Sequence, residues 1–246
     1  MARNSVLNNS AVTAIEPAYL VDGNGNLTST GEEAIMTFHL LSGKIRLSVL
    51  DLLSRVPEMN VKTLTEELGK LQPAVSGQLA LLKEGGLVRS RRDGKEVFYS
   101  APSAEESILP KIADSLERTV GMRNTVPQNA NELSTLFDRS HHVLRPTGNS
   151  ILKMAKILSC DIRLQILGLL RDGRRHTTEF LEFIDRVQPD ITHHIHLMEK
   201  QRFVSCTEEG RFHYYSLINP VTSPLPGFFQ QLRRLAKQDV TSSPSS

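Results

Sequence analysis

The stretch from Leu71 to Ser100 constrains the fold of this chain most, because it combines the patterns of a short helix and a tight hairpin. Gln72 followed by Pro73 is typical of a helix start, since the N–H that proline lacks would have no partner there. The apolar residues that follow have the i, i+4, i+7 spacing of one buried helix face: Val75, Leu79 and Leu82.

The second part of this stretch predicts a β-hairpin. Gly85-Gly86 ends the helix, because glycine tolerates the left-handed conformation of a helix end. Two apolar runs, Leu87-Val88 and Val97 to Tyr99, flank a basic turn built on Asp93-Gly94. A helix followed by a hairpin with a basic tip is the outline of a winged helix.

The polar residues outside the buried face suit contact with DNA. Short hydroxyl and amide side chains pair with base edges, and a helix fits the major groove. The predicted base contacts are Gln72, Ser76, Gly77 and Gln78. Basic side chains suit phosphates, and the predicted phosphate contacts are Lys83, Arg89, Arg91, Arg92 and Lys95. The alternative for these polar residues is an ordinary solvated surface.

The same pattern recurs in the second part of the chain. Gln188-Pro189 lies 116 residues after Gln72-Pro73, and Ile162 to Leu164 lies 117 residues after Ile45 to Leu47. Further pairs at the shorter offset are Ser76 with Thr192, Leu79 with Ile195, Leu82 with Met198, and Gly94 with Gly210. A repeat of this length indicates a domain duplication.

The second copy differs in the chemistry of its predicted contacts. Its predicted base contacts are Gln188, Thr192, His193 and His194, and its predicted phosphate contacts are Arg174, Arg175 and Arg211. Its hairpin tip carries Glu208 and Glu209, which repel phosphate. Three roles stay open for this copy: a different half-site, weak binding, or another task. The i, i+3 pair His193 and His196 is a candidate metal site, although no third ligand is obvious.

These motifs resemble those of the ArsR-type winged-helix transcriptional repressors. The run LLSGKIRLSVLDLL and the later QPAVSGQLALLKEGGLV carry the resemblance through Arg46, Leu47, Leu50, Leu52, Leu53, Gln72, Pro73, Val75, Ser76, Leu79, Leu82, Gly86, Leu87 and Val88. The second copy matches at Arg163, Leu164, Leu167, Leu169, Leu170, Gln188 and Pro189. The resemblance implies dimeric DNA binding, with dimer contacts through the first and last helices of each unit.

The predicted fold is mainly α with small β-hairpins, in which two tandem winged helix-turn-helix domains pack as an intramolecular pseudo-dimer. The predicted domains are an arm (1–30), a first winged helix (31–122), a connector (123–147), a second winged helix (148–238) and a disordered tail (239–246). The helices predicted outside the recognition stretches are Glu32–Leu41 with a Thr30–Glu33 capping box, Lys44–Leu53, a third helix capped by Asn60, Ala104–Val120, Asn131–Arg145 and Pro224–Lys237.

Composition and missing motifs limit the other functions. A formal net charge of +2 makes any nucleic-acid footprint local. No apolar run suits a membrane span, and two cysteines, Cys160 and Cys206, give no disulfide framework, so a cytoplasmic, nucleoid-associated protein is expected. Phosphate-binding and nucleophile motifs are missing, so we expect no enzyme and no cofactor.

Metal sites are not expected either. Residues 60–70 and 176–187 contain no cysteine, whereas one metal site of the family uses cysteines near the third helix. The segment from Asp22 to Glu33 has oxygen side chains at calcium-loop spacing, but Leu27 stands where that loop needs glycine. The expected partner is double-stranded DNA, bound by a repressor acting as a monomeric pseudo-dimer. The alternative is a protein–protein adaptor; a further homodimer and the effector stay open.

Overall fold

A computed structural model describes residues 19–103, 105–122 and 135–236 of this chain. Helices make up most of these residues, and small antiparallel sheets accompany them. We call residues 19–122 the first half and residues 135–236 the second half. Within the described residues, no helix has both the length and the apolar character needed to cross a bilayer.

The first half forms a winged helix-turn-helix. Its elements are α1 (Ser29–Leu41), α2 (Lys44–Leu53), β1 (Met59–Asn60), α3 (Val61–Leu68), α4 (Gln72–Glu84), β2 (Arg89–Asp93), β3 (Glu96–Ser100) and α5 (Ile108–Thr119). The strands form an antiparallel sheet in the order β1-β3-β2, with Arg91 opposite Phe98. This mainly helical fold with a small hairpin confirms the prediction from the sequence.

Local sequence explains the helix-turn-helix geometry. The side chain of Asn60 accepts a hydrogen bond from the Thr63 N–H at 2.8 Å and so caps α3, as predicted. Gly69 follows α3 with a φ of +58°, a left-handed conformation that favours glycine and turns the chain sharply into α4. The apolar face of α4 is fully buried, as its spacing predicted, through Val75, Leu79 and Leu82.

The second half contains a hairpin, helices and a second three-stranded sheet. Its elements are β4 (Phe137–Asp138), β5 (Val143–Leu144), α6 (Pro146–Leu158), α7 (Asp161–Leu169), β6 (Arg175–His176), a 3-10 helix (Thr177–Glu182), α8 (Gln188–Lys200), β7 (Val204–Glu209), β8 (Phe212–Leu217) and α9 (Leu225–Leu235). The sheet is antiparallel in the order β6-β8-β7.

The helix predicted over 131–145 is wrong for the part that the structure describes. Residues 131–134 lie outside the described residues, and the β4-β5 hairpin occupies the rest. The carboxylate of Asp138 accepts from the N–H groups of Ser140 at 2.9 Å and His141 at 3.2 Å, which holds the chain in a turn. These local bonds compete with a helix and explain the difference.

The start of α1 also differs from the prediction. The hydroxyl of Thr28 accepts from the Gly31 N–H at 3.1 Å, so α1 begins at Ser29 and the predicted Thr30–Glu33 capping box is wrong. The Thr28 hydroxyl also donates to the Tyr19 carbonyl at 2.6 Å. This second bond ties the cap to the preceding turn, whereas Thr30 lies within the first turn of α1.

The two halves pack on each other through helices. Helix α5 lies against α9, and α1 lies against α6, with the rings of Phe38 and Phe228 5.8 Å apart. The guanidinium of Arg233 bridges Asp114 at 2.5 Å and Glu117 at 2.9 Å. Apolar side chains of both halves belong to one connected core. Helices α4 and α8 therefore both pack on the same connected core.

Candidate nucleic-acid interface

The open face of α4 presents several of the predicted base contacts to solvent. Gln72, Ser76 and Gly77 are exposed, since the buried apolar positions turn the opposite face of the helix inward. Apart from neighbouring atoms of α4 itself, no heavy atom of the described residues lies within 4 Å of a Cβ built on Gly77, so α4 is accessible there. Such a face can approach the floor of a major groove.

Gln78 is only half exposed because it is bound to Arg46. Arg46 donates from Nη1 to the Gln78 side-chain oxygen at 2.7 Å, and from Nε to the Leu40 carbonyl at 2.6 Å. A further bond joins its Nη2 to the His39 carbonyl at 3.0 Å. Arg46 therefore ties α4 to the end of α1. The amide nitrogen of Gln78 remains available to a base, while its oxygen is occupied.

Two arginines of the first wing, the β2-β3 hairpin, are paired with carboxylates. Arg91 lies 2.7 Å from Glu58 and 3.0 Å from Asp93, and these partners hold the pKa of its guanidinium above the usual range. Arg89 lies 2.7 Å from Glu106. Sequence reasoning did not identify Glu58 and Glu106, which are distant along the chain. These pairs offset part of the positive charge predicted for the wing.

The other predicted phosphate contacts of the first half are more accessible to a ligand. Arg92 is exposed, and its Nε donates to the carbonyl of Gly94 at 3.3 Å. Lys83 and Lys95 are exposed, and neither forms an ion pair with a residue in the described ranges. A phosphate reaches these three predicted contacts without breaking an existing ion pair.

The open face of α8 carries the predicted base contacts of the second half. Gln188 and His193 are exposed, and the Thr192 hydroxyl donates to the Gln188 carbonyl at 3.0 Å. His194 is half-buried, with its Nδ1 3.4 Å from Nη1 of Arg163. Burial, together with the charge of Arg163, lowers the pKa of His194 below its ordinary value. His194 is therefore a weaker base than an exposed histidine.

The predicted phosphate contacts of the second half are mostly occupied. Arg174 is paired with Glu209, with Nη2 and Oε2 3.1 Å apart. Arg175 is half-buried and donates to the Leu169 carbonyl at 2.8 Å. Arg211 is exposed, and its guanidinium lies 5.2 Å from the ring centre of Phe212. The second wing, the β7-β8 hairpin, thus offers less free positive charge than the first.

The sequence analysis did not identify two exposed apolar residues that directly precede α4 and α8. Leu71 is 79% exposed and Val187 is 62% exposed, and each directly precedes a Gln-Pro pair. They lie 116 residues apart, which is the offset of the repeat, so the sequence did contain a signal for them. Apolar groups at the start of a recognition helix suit the methyl group of thymine.

The cysteines and histidines form no cluster of three metal-ligating side chains in the part of the chain that the structure describes. Both cysteines are free and partly buried. The Cys206 sulfur lies 3.7 Å from Nδ1 of His213, and burial raises the pKa of the Cys206 thiol. A raised pKa disfavours the reactive thiolate at neutral pH.

Comparison with known proteins identifies the family. The family model described as "Bacterial regulatory protein, arsR family" matches residues 43–90, from the start of α2 to the first wing. The arsenical resistance operon repressor of Escherichia coli is 37% identical over 84 residues, which cover 34% of this chain and 72% of the relative. The chain belongs to the arsR family. It is a DNA-binding transcriptional regulator with a helix-turn-helix domain in residues 43–90.

Two further similarities cover the same region. An uncharacterized HTH-type transcriptional regulator of Methanocaldococcus jannaschii is 33% identical over 85 residues, which cover 35% of this chain and 96% of that protein. The structure of HlyU from Vibrio cholerae is 29% identical, covers 37% of this chain and 96% of that chain, and gives a TM-score of 0.32. Each relative thus corresponds to about a third of this chain.

Proposed function

We propose that this arsR-family regulator is a repressor that binds duplex DNA with two non-identical winged helices in one polypeptide. The observation that carries the proposal is a repeated arrangement of side chains. Arg163 donates to the carbonyls of Ile157 and Lys156 and contacts His194. Arg46 does the same with Leu40, His39 and Gln78 in the first half. Each arginine joins a recognition helix to the helix at the start of its own half.

The hairpins before α1 and α6 further support a pseudo-dimer. Val21 is bridged to Leu27 before α1, as Phe137 is paired with Leu144 before α6. Each hairpin packs on the opposite half. Gln165 of α7 donates to the Gly25 carbonyl at 2.8 Å. The carboxylate of Asp51 on α2 accepts from the N–H groups of Leu136 and Phe137, both at 3.0 Å. Reciprocal exchange of this kind is typical of two-fold interfaces.

The helix contacts between the halves fit the same proposal. The resemblance to the family implied dimer contacts through the first and last helices, and here α1 packs on α6 while α5 packs on α9. In this proposal the β4-β5 hairpin is part of the repeat and not an insertion, because the turn bridged by Val21 and Leu27 is its counterpart before α1. The proposed repeat then extends from the hairpin at Leu20 to the end of α9.

We assign the DNA contacts according to which side chains are free. In the first half Gln72, Ser76, Gly77 and the amide nitrogen of Gln78 face bases, and Leu71 faces a thymine methyl group. In the second half the base contacts are Gln188, Thr192, His193 and the half-buried His194, with Val187 in the place of Leu71. Phosphates are bound first by Lys83, Arg92, Lys95 and Arg211, whereas Arg89, Arg91, Arg174 and Arg175 must first leave their present partners.

Selection of bound duplexes from a random pool by the full chain tests this proposal. The expected result is one enriched site with two unequal halves, whose centres lie about 34 Å apart. Enrichment of a single half-site would contradict the two-headed model and leave one functional winged helix. Occupancy of that site should lower transcription from an overlapping promoter in vitro, and higher transcription would contradict repression.

A pair of variants separates phosphate contacts from other effects. Arg92→Ala combined with Lys95→Ala should lower affinity for all duplexes alike and reduce the salt dependence of binding, because two counterion-releasing contacts are lost. Lys111→Ala removes an exposed lysine from α5 and should leave both quantities unchanged. If the chain binds no duplex at all while capturing a protein partner, the adaptor function takes the place of the repressor.

A further inference from the structure

A cavity between the first helix-turn-helix and the β4-β5 hairpin has the chemistry of an anion site. It measures about 280 Å³ and lies between the start of α2, the turn before α4, and the β4-β5 hairpin. We propose that it binds a small organic carboxylate with an apolar body. This inference goes beyond DNA binding, and it uses the proposed repeat only for the comparison between halves.

The cavity wall combines apolar side chains with cations. Leu68, Phe137 and Leu144 provide an apolar surface, while Lys44 and Lys70 stand at the lining as exposed ammonium groups. None of the described side chains that line the cavity is a carboxylate, and neither lysine is ion-paired within the described ranges. Two like charges beside an apolar cavity repel each other, and a bound anion relieves that repulsion.

Comparison with the second half shows which positions create this charge. By the offsets of the repeat, Lys44 corresponds to Asp161 and Lys70 corresponds to Arg186. Asp161 and Arg186 form an ion pair, with oxygen and nitrogen 3.8 Å apart. In the first half the position of the acidic partner holds a second cation. A ligand carboxylate at Lys44 and Lys70 would restore the missing negative charge.

The same comparison explains why the first half has space for a ligand. Gln165 of α7 reaches across to the opposing hairpin and donates to the Gly25 carbonyl at 2.8 Å. Its counterpart by the offset is Ser48, which lines the cavity and turns its hydroxyl back to the Lys44 carbonyl at 2.9 Å. A serine thus stands where the second half has a long side chain. A dry cavity of roughly 150 Å³ is enough for a benzene ring, so a ligand of benzoate size fits.

A histidine borders the cavity from the β4-β5 hairpin. His142 also lines it, and its Nδ1 lies 2.7 Å from the Glu67 carbonyl. Because a carbonyl oxygen only accepts, Nδ1 must donate this bond. The ligand would therefore touch α2, the segment that leads into α4, and the hairpin from the opposite half.

Titration calorimetry of the full chain with benzoate at low salt and neutral pH tests the proposal. The wild-type chain should bind benzoate with a dissociation constant of roughly 1 mM or tighter, and the uncharged analogue benzamide should bind at least about fivefold more weakly. Absence of benzoate binding up to about 10 mM overturns the proposal. So does equal binding of benzoate and benzamide, or binding of inorganic phosphate alone.

Two variants replace residues that line the cavity with their counterparts from the second half. Ser48→Gln fills the space, and Lys44→Asp supplies the carboxylate that pairs with Lys70, so each should lower benzoate affinity at least about tenfold. Lys62→Asp introduces the same charge change at an exposed position of α3 outside the cavity, and it should have less than about a twofold effect.

The variants also locate the site independently of DNA binding. Lys44 is exposed at the first position of α2, where an acidic residue favours the helix, so Lys44→Asp should fold even if Ser48→Gln does not. Unchanged benzoate binding by the folded Lys44→Asp variant would place the ligand elsewhere and overturn the proposal. Failure of the DNA selection experiment would leave this result unaffected.

Discussion

Replacement of Asp51 by alanine should destabilise the protein more than the loss of any ordinary surface charge. Asp51 is fully buried on α2. Its carboxylate accepts from the backbone N–H groups of Leu136 and Phe137 at 3.0 Å, from Arg234 at 2.6 Å, and from Arg55. One side chain thus joins the first helix-turn-helix, the β4-β5 hairpin and the last helix.

The size of the effect follows from the groups that Asp51→Ala leaves without a partner. Arg234 is only 9% exposed, so its guanidinium would lose a buried counter-charge, and two backbone N–H groups would lose their acceptors. Removal of one partner from a buried ion pair typically costs about 3–5 kcal/mol. At this chain length, that cost corresponds to a melting temperature lower by roughly 6–20 °C. Asp51→Asn keeps the shape and one acceptor, and it should have a smaller effect.

Urea unfolding followed by circular dichroism, together with thermal melts, measures this difference. Asp172→Ala is the matched control, because Asp172 is an exposed carboxylate bound by Arg171 through contacts of 2.8 and 2.9 Å. An exposed ion pair of this kind contributes less than about 1 kcal/mol. If Asp51→Ala and Asp172→Ala changed the free energy of unfolding equally, the assignment of Asp51 as the buried junction between the halves would be refuted.

Three further predictions concern the recognition helices and the first wing. Gly77→Ala should raise the free energy of unfolding by about 0.5–1 kcal/mol, because alanine favours the helix and the added methyl group meets open space. The same methyl group should weaken DNA binding, because it fills part of the exposed face of α4. Unchanged affinity in a binding titration would place Gly77 outside the interface. Glu58→Gln should remove one of the two carboxylate partners of Arg91 and raise affinity for DNA about two- to fivefold with a steeper salt dependence, and a fall in affinity would contradict this. His194→Gln should reduce the loss of stability between pH 7.5 and pH 5.5 in urea titrations. Because the pKa of His194 is lowered in the folded state, its contribution to stability is complete above the pKa of 6.5 in the unfolded chain and falls as the pH drops below that value. An unchanged pH dependence of the free energy of unfolding would contradict the prediction.

The parts of the fold that follow from local sequence could be predicted well. Helix α2 begins and ends as predicted, Asn60 caps α3, and the buried face of α4 consists of the residues that its spacing indicated. Each of these features depends on residues within about two helical turns of each other. Proline, glycine and apolar spacing carry that information without reference to the rest of the chain.

The parts that depend on distant contacts could not be predicted in this way. The β4-β5 hairpin has strands of only two residues, and the apolar residues around it, Leu136, Phe137 and Leu144, have a spacing compatible with a helix. Its backbone is held by Asp51, which is 85 residues earlier in the chain. The same limit applies to the first wing, where Glu58 precedes Arg91 by 33 residues. Sequence spacing contains no signal for such pairs.

The distribution of free and paired charges determines how DNA recognition should divide between helix and wing. In the first wing, two of four basic side chains are held by carboxylates of the same half, and in the second wing Arg174 is held by Glu209. Non-specific affinity depends mainly on free cations, because it arises from counterion release. We therefore expect this chain to bind random DNA weakly, in line with its small net charge. In the proposed two-headed regulator, we expect discrimination between sequences to come chiefly from α4 and α8. Their exposed faces differ at every polar position except the shared glutamine at the start of each helix.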